Sequence, residues 1–311
     1  MKICLDSAPP LWEERRGGGG GGGVGRKDAK RICSENPYIP SLRSSLNETA
    51  RLADGWIERK NKILPGVLAE SKGQMNHIRY NIFEEMGGGC NQSCVGGPCQ
   101  SDVSKIVCGL QNLAPGCVVY SIGGNNQWQF ERDILAKTPC EVHTFDCTGP
   151  RDRFQIPDDP RLHFHYTCLS AKPSPSRPVG ECTDRNDRNV CGDMKTLSQI
   201  QSMFNHTQID LLKMDIEGFE HGLFMSWGVL GDETEPLQVL PMQILVELHY
   251  RTGMKELAPH HRMDFLNEVD LWELQTHLLR MGYATIVRDN NRRCLACSEL
   301  TILRFRCPLI S

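Results

Sequence analysis

The 311-residue chain has no long uninterrupted hydrophobic segment. A membrane-spanning helix needs about 18 or more consecutive apolar residues, and the opening MKICLDSAPPLWEERR also lacks the apolar stretch of a signal peptide. The sequence therefore predicts a soluble protein without a membrane span, with the cytoplasm as the default compartment. The secretory pathway is the alternative if the true N-terminus is missing from this sequence.

Positive charge is not in excess either. The chain carries 35 Lys and Arg residues against 38 Asp and Glu residues, and it has no long basic block. Proteins that bind nucleic acids neutralise phosphates with clustered basic side chains, so nucleic acid is not expected as a partner. With 39% hydrophobic residues, the chain has enough apolar side chains to bury a core.

Cysteine, in contrast, is abundant, with 15 residues. Four of them crowd a glycine-rich stretch between residues 90 and 108, and the single CxxC pair is Cys294 with Cys297. A structural zinc site usually shows two close ligand pairs, so we predict no metal. The cysteines are expected to form disulfides in an oxidising lumen and to remain thiols elsewhere. Three N-x-[ST] sequons, at Asn47, Asn91 and Asn205, allow a secretory interpretation but also arise by chance.

Composition divides the chain into three regions. An uninterrupted glycine run indicates a disordered tail over residues 1–35. Residues 36–102 are predicted to be an N-terminal extension of helices and loops that ends in the cysteine-rich loop. In residues 103–311, compact apolar runs alternate with amphipathic segments, which is typical of an α/β fold with a mainly parallel sheet.

Seven strands are predicted in this third region, with helices around them. The predicted strands are Cys117–Ile122, Glu141–Asp146, Leu162–Tyr166, Ile209–Met214, Gln243–Leu248, Ala284–Arg288 and Leu300–Phe305. The predicted helices are Val103–Leu110, Trp128–Lys137, Met194–Phe204, Phe219–Trp227 and Phe265–Met281. Because the segment between the last two strands is too short and too polar for a crossover helix, these strands should form an antiparallel hairpin.

A glycine turn follows the first predicted strand, in the sequence VVYSIGGNNQWQFE. Such a turn lets a ligand approach bare backbone and the N-terminal amides of the next helix, although it is also an ordinary strand-to-helix connection. The third glycine of G-x-G-x-x-G is missing, which disfavours a dinucleotide and favours S-adenosylmethionine, a cofactor without phosphates. The nearby polar side chains that could contact it are Ser121, Asn125 and Asn126.

An acidic residue ends the second predicted strand. Asp146 lies 23 residues beyond Gly123. In nucleotide-binding βαβ units, a carboxylate about 20 residues after the glycine turn accepts hydrogen bonds from ribose hydroxyls. The alternative is a solvated aspartate at the end of a strand. The combination with the glycine turn favours a ligand.

Two later strand ends carry further ionisable side chains. Asp215 and Glu217 lie in IDLLKMDIEGFE, and His249 ends ILVELHY. Carboxylates at this edge could orient a substrate hydroxyl, act as a base or hold a cation; alternatively, Glu217 caps the next helix and Asp215 binds backbone amides. His249 is a candidate base, although a lone histidine is more often structural.

These stretches together with EVHTFDCT resemble the methyltransferase-like family of the methyltransferase-like 24 type, which is distantly related to FkbM-type methyltransferases. The resemblance covers roughly residues 106–306 and implies a Rossmann-like class I methyltransferase fold with S-adenosylmethionine as cofactor. The expected cofactor-binding residues are Ser121, Gly123, Gly124, Asn125, Asp146, Cys147 and Asp215, and the expected catalytic residues are Asp215, Glu217 and His249.

The function that this resemblance implies is methylation of a hydroxyl on a sugar or other small molecule. A second hypothesis is a catalytically silent methyltransferase-like binding module of the secretory pathway. A third, an NAD-dependent oxidoreductase, is disfavoured by the incomplete glycine pattern and the C-terminal hairpin.

Overall fold

The computed structural model describes residues 43–71, 77–87, 90–101, 103–176, 182–184, 189–227, 240–250, 267–290 and 294–305. All of them lie in one compact unit, Glu35–Ser311. The helices are α1 (Arg43–Ser71), α2 (Gln129–Lys137), α3 (Leu197–Phe204), α4 (Glu220–Ser226) and α5 (Glu268–Arg280). The strands are β1 (Gln92–Val95), β2 (Lys105–Cys108), β3 (Val118–Ile122), β4 (Glu141–Phe145), β5 (Leu162–His165), β6 (Thr167–Leu169), β7 (Asp193–Lys195), β8 (Leu211–Met214), β9 (Gln243–His249), β10 (Tyr283–Asp289) and β11 (Cys297–Arg304).

A seven-stranded sheet forms the centre, in the order β10-β11-β9-β8-β3-β4-β5. The strands from β5 to β9 in this order are parallel, whereas β11 runs antiparallel to both of its neighbours. The central strands β8 and β9 are buried along their whole length, as expected for parallel strands that are covered on both faces. The predicted Rossmann-like sheet with a C-terminal antiparallel hairpin is therefore confirmed.

The two faces of this sheet pack against separate apolar clusters. On one face, Tyr120 and Ile122 of β3 join a core that includes Trp56 of α1 and Leu274 of α5. On the other face, Val119 of β3 packs in a cluster with apolar residues of α2. The alternation of side chains along β3 follows from the two-residue period of a strand.

Local sequence signals set the start of two helices. Thr196 and Gln199 form a capping box before α3, and Asn267 and Asp270 form one before α5. Each pair satisfies backbone N–H groups that have no partner within the helix. Both helices therefore begin a few residues later than predicted.

The helix predicted at Val103–Leu110 is wrong. Residues Lys105–Cys108 form β2, which pairs antiparallel with β1, and a 3₁₀ turn follows at Leu110–Asn112. The Gln243 side chain accepts from the Cys108 N–H at 2.7 Å and donates to the Cys108 carbonyl at 3.0 Å. These tertiary hydrogen bonds fix an extended backbone that the apolar spacing alone does not indicate.

Every cysteine in the described residues is in a disulfide bond. Six bridges are present: Cys90–Cys108, Cys94–Cys99, Cys117–Cys140, Cys147–Cys168, Cys182–Cys191 and Cys294–Cys297. Such bridges stabilise mainly by restricting the unfolded chain. In the same residues, no helix has the length and hydropathy to cross a membrane.

Candidate active site

The glycine turn brings the ends of three parallel strands together. Gly123 has φ = 75°, and a β-carbon at this position would overlap the carbonyl oxygen of Asp215. Its N–H donates to the Phe145 carbonyl at 3.0 Å, and the Asp215 N–H donates to the Ile122 carbonyl at 3.2 Å. Glycine is thus required at position 123 because backbone from β8 passes directly over it.

Asp146 is held rigidly at the end of β4. Its Oδ2 accepts from the Asn125 N–H at 2.7 Å, and its Oδ1 accepts from the N–H and the hydroxyl of Thr148 at 2.9 and 2.7 Å. The residue is only 3% exposed. Because each carboxylate oxygen has two lone pairs, Oδ2 can accept one further donor.

Arg153 connects the loops that follow β3 and β4, and the sequence did not indicate this role. Its Nη1 and Nη2 each donate to Asn125 Oδ1 at 3.2 Å. Its Nε donates to the Thr148 carbonyl at 2.7 Å, and its Nη2 donates to the Thr148 hydroxyl at 2.8 Å. The guanidinium therefore closes the turn around Asp146.

A shallow cleft lies beside this turn, with about 150 Å³ of space that is partly open to solvent. Its aromatic walls are in mutual contact, with ring centroids 4.7 Å apart for Phe154 and Phe164 and 5.9 Å apart for Trp128 and Phe164. None of this space is wide enough to hold a water-sized sphere, so a nucleoside cofactor could enter only after the lining side chains move. The lining residues are Gly124, Asn126, Gln127, Trp128, Thr144, Asp146, Phe154 and Phe164.

Of the seven residues expected to bind the cofactor, only Gly124 and Asp146 line the cleft; the other five are Ser121, Gly123, Asn125, Cys147 and Asp215. Ser121 is fully buried in β3, and its hydroxyl donates to Glu131 Oε1 at 2.5 Å. Cys147 is bridged to Cys168 and is fully buried. Only their backbone could reach a ligand at this edge, so their assignment as cofactor contacts stays a prediction.

The three residues expected to be catalytic converge. The turn after β8 carries Glu217 at φ = 56° and Gly218 at φ = 109°. This turn places ligand atoms of Asp215, Glu217 and His249 within 4.8 Å of one another. His249 Nε2 lies 3.7 Å from Glu217 Oε2.

Glu220, which the sequence did not single out, organises this turn. Its side chain is fully buried, and it accepts from the N–H groups of Ile216 and Gly218, each at 2.9 Å. Its Oε1 also lies 3.1 Å from His249 Nδ1. Glu220, the first residue of α4, therefore fixes the turn that precedes this helix.

The protonation of His249 follows from this partner. Burial lowers the pKa of His249, but the Glu220 carboxylate, together with Asp215 and Glu247, outweighs burial and raises this pKa to about 10. His249 is then an imidazolium at neutral pH. It can donate hydrogen bonds but does not fit the predicted role of a base.

Glu217 is the better proton acceptor in this group. Burial raises its pKa, with added repulsion from Asp215 and Glu220, and His249 opposes the increase. Its side chain is 50% exposed, so it is accessible from solvent. A carboxylate with a raised pKa at an accessible strand end has the properties of a general base.

A network of buried charged side chains lies behind the group of Asp215, Glu217 and His249. Lys105 forms an ion pair with Glu299, and its Nζ lies 3.9 Å from Glu247 Oε2. Burial, with repulsion from Asp215 and Glu299, raises the pKa of Glu247 to about 7. Lys105 comes from the segment wrongly predicted as a helix, which is why the sequence did not reveal this network.

The sheet order, the glycine turn and the acidic strand end define a Rossmann-like protein of the methyltransferase class. A family model described as a methyltransferase domain matches residues 71–303, and the chain belongs to this family. This membership supports a methyltransferase function. A search of curated proteins gives no match to the chain.

Proposed function

We propose that the chain is an S-adenosylmethionine-dependent methyltransferase (EC 2.1.1 class) that methylates a hydroxyl oxygen on a sugar or other small molecule. One observation carries the proposal: the Asp215 carbonyl lies directly against Gly123. The glycine turn after β3 and the carboxylates after β8 therefore lie at the same edge of the sheet. Open α/β sheets bind their ligands at this edge.

The donor set around Gly123 suits the adenosine part of this cofactor. Asp146 offers carboxylate oxygens to a ribose diol, and Phe154 and Phe164 offer aromatic faces to a base. Because the cleft is narrow, its lining side chains have to move apart before the cofactor can enter. When bound, the cofactor supplies a methyl group that its sulfonium has already activated.

The residues of this chain would then position the acceptor and remove its proton. Glu217 accepts the proton of the acceptor hydroxyl. His249, held as an imidazolium by Glu220, orients the Glu217 carboxylate from 3.7 Å. Asp215 connects this pair to the cofactor turn, so that alignment and proton removal occur at adjacent residues.

The compartment that we propose is oxidising. All the cysteines of the described residues are paired, and structural disulfides persist mainly in secreted or lumenal proteins. A glycan or small-molecule acceptor in the secretory pathway fits this environment. We therefore propose the secretory pathway in place of the cytoplasm, the compartment expected from the opening residues.

Two variants with opposite outcomes test the methyltransferase proposal. Asp146→Ala should weaken S-adenosylmethionine binding by roughly tenfold to a hundredfold, because a hydrogen bond to a charged group contributes about 1.5–3 kcal/mol. Glu217→Gln should retain cofactor affinity and lose methyl transfer to fractionated glycans and small molecules. Calorimetry measures the first effect, and labelled cofactor measures the second. Full transfer by Glu217→Gln would disprove the role of the base.

The silent binding module is the second candidate, and two observations favour it. The cleft is small, and three protein donors already bind the Asp146 carboxylate. For this candidate, calorimetry with millimolar S-adenosylmethionine should give no binding heat although circular dichroism shows a folded chain. A saturable heat would exclude it.

A further inference from the structure

A cluster of four histidines and one glutamate lies away from the candidate active site. Glu141 and His143 lie two residues apart in β4, so their side chains project from the same face. His163 in β5 is the register partner of His143. Glu141 begins β4, and Asp146 follows the end of this strand. At about 3.3 Å per residue, the two residues are roughly 16 Å apart.

Three side chains of this cluster converge on one point. Glu141 Oε1 lies 2.8 Å from His163 Nε2 and 3.2 Å from His143 Nε2, and the three ligand atoms all lie within 4.8 Å of one another. Two ligands bound to one Zn²⁺ at about 2.0–2.1 Å are roughly 3.3 Å apart in a tetrahedral arrangement. The observed separations need only small adjustments to accommodate an ion.

The buried histidine of this set has an unused ring nitrogen. His143 is 4% exposed, and its Nε2 makes no hydrogen bond of acceptable geometry, although Glu141 is close. A buried polar atom without a partner is costly. The nitrogen lies 3.2 Å from the Glu141 carboxylate, and a cation bound between them would satisfy both groups.

A second histidine fixes the orientation of the first. His143 Nδ1 lies 3.0 Å from His165 Nε2, and the two rings are nearly parallel, with centroids 5.2 Å apart. Metal-bound histidines usually donate their other ring N–H to a neighbouring acceptor. If His143 Nδ1 carries the proton, His165 is that acceptor, and Nε2 of His143 is left with a lone pair for a metal.

Other ring side chains pack around this set. The ring centroid of His143 lies 4.8 Å from that of His163 and 4.6 Å from that of His206. The Tyr120 hydroxyl in turn lies 2.7 Å from His206 Nδ1. Imidazole nitrogen is a common ligand of Zn²⁺.

We propose that Glu141, His143 and His163 form a binding site for a divalent transition metal, with Zn²⁺ as the ion that best fits two imidazoles and one carboxylate. Glu141 and His163 are 46% and 39% exposed, which gives the ion a path from solvent. A fourth position is left for water. The site does not depend on the proposed methyl transfer.

Two other groups of potential ligands fit a metal less well. In the group of Asp215, Glu217 and His249, the histidine holds a proton at neutral pH and has no lone pair at Nε2. In the group formed by Glu247 with Cys294 and Cys297, the sulfurs are joined in a disulfide and provide no thiolate.

The direct test is calorimetric titration of ZnCl₂ into the full chain without a histidine tag, after treatment with a chelator, at pH 7.5. One Zn²⁺ should bind per chain. Glu141→Gln and His163→Gln, both at partly exposed positions, should each weaken binding at least tenfold, about 1.4 kcal/mol. Replacing Zn²⁺ by Co²⁺ should give the visible absorption of a four-coordinate site, and His163→Gln should abolish it.

Matched controls separate this site from others. Glu217→Gln and a variant with both His260 and His261 changed to Gln should bind Zn²⁺ as tightly as the unchanged chain. Absence of stoichiometric binding would overturn the proposal, and so would binding that Glu141→Gln and His163→Gln leave unchanged. His143→Gln is less informative because this buried side chain also contributes to packing.

Discussion

Replacing Glu220 by Gln should destabilise the fold strongly because Glu220 is fully buried and faces the His249 imidazolium at 3.1 Å. The native pKa of His249 is about 10, against an unfolded value of about 6.5. At pH 7 this difference corresponds to about 4 kcal/mol of stabilisation. The figure agrees in size with the 3–5 kcal/mol typical of breaking a buried ion pair.

The sign of the pH dependence is fixed by the direction of this shift. Because the folded-state pKa is raised, the stabilisation is fully present below about pH 6.5 and is lost as the pH rises through about 10. The free-energy difference between the unchanged chain and Glu220→Gln should therefore fall by about 2.5 kcal/mol between pH 7 and pH 9. Urea unfolding with the disulfides intact, repeated at several pH values, measures it.

Glu217→Gln is the matched control for Glu220→Gln, because Glu217 also faces His249 but is half exposed. Its effect on the free energy of unfolding should stay below about 1 kcal/mol. A nuclear magnetic resonance titration of the His249 ring should in addition show a pKa well below that of the unchanged chain in Glu220→Gln, since only Asp215 and Glu247 then oppose the effect of burial. A Glu220→Gln effect below about 1 kcal/mol, or one that does not change with pH, would refute the reasoning.

Three further outcomes are expected from the disulfides, the glycine turn and the sequons. Changing both Cys117 and Cys140 to Ala should lower the free energy of unfolding by about 3 kcal/mol, measured by urea denaturation; an unchanged midpoint would argue against this bridge. Gly123→Ala should abolish binding of S-adenosylmethionine in calorimetry, because a β-carbon there meets backbone; retained affinity would contradict it. After expression in a secretory host, glycosidase treatment should reduce the mass at the exposed residues Asn91 and Asn205; mass spectrometry showing bare asparagines would count against the lumenal proposal.

The parallel sheet could be predicted because its strands are buried on both faces and appear as short apolar runs between helical segments. The strand Lys105–Cys108 could not, because it is short and its conformation depends on distant partners. The Gln243 side chain bonds to the Cys108 backbone, and Thr301 donates to the Ile106 carbonyl at 2.7 Å. No local pattern contains that information.

In the candidate site, too, some residues could be predicted from the sequence and others could not. Asp146 and Asp215 were found because a rule of topology places them: parallel strands end at one edge, and ligands bind there. Glu220 and Arg153 were missed because their roles depend on side chains that fold back across turns. Their neighbours in sequence do not identify those partners.

The two histidine clusters, one around His249 and one around His143, differ in how deeply the neighbouring glutamate is buried. His249 and His143 are both buried, and each lies near a glutamate. Glu220 is fully buried, so its charge is poorly screened and holds a proton on His249. Glu141 is 46% exposed, and burial among other imidazoles keeps His143 neutral. The first cluster therefore suits proton handling beside a methyl acceptor, whereas the second places imidazole nitrogens beside a carboxylate, the ligand types that Zn²⁺ binds.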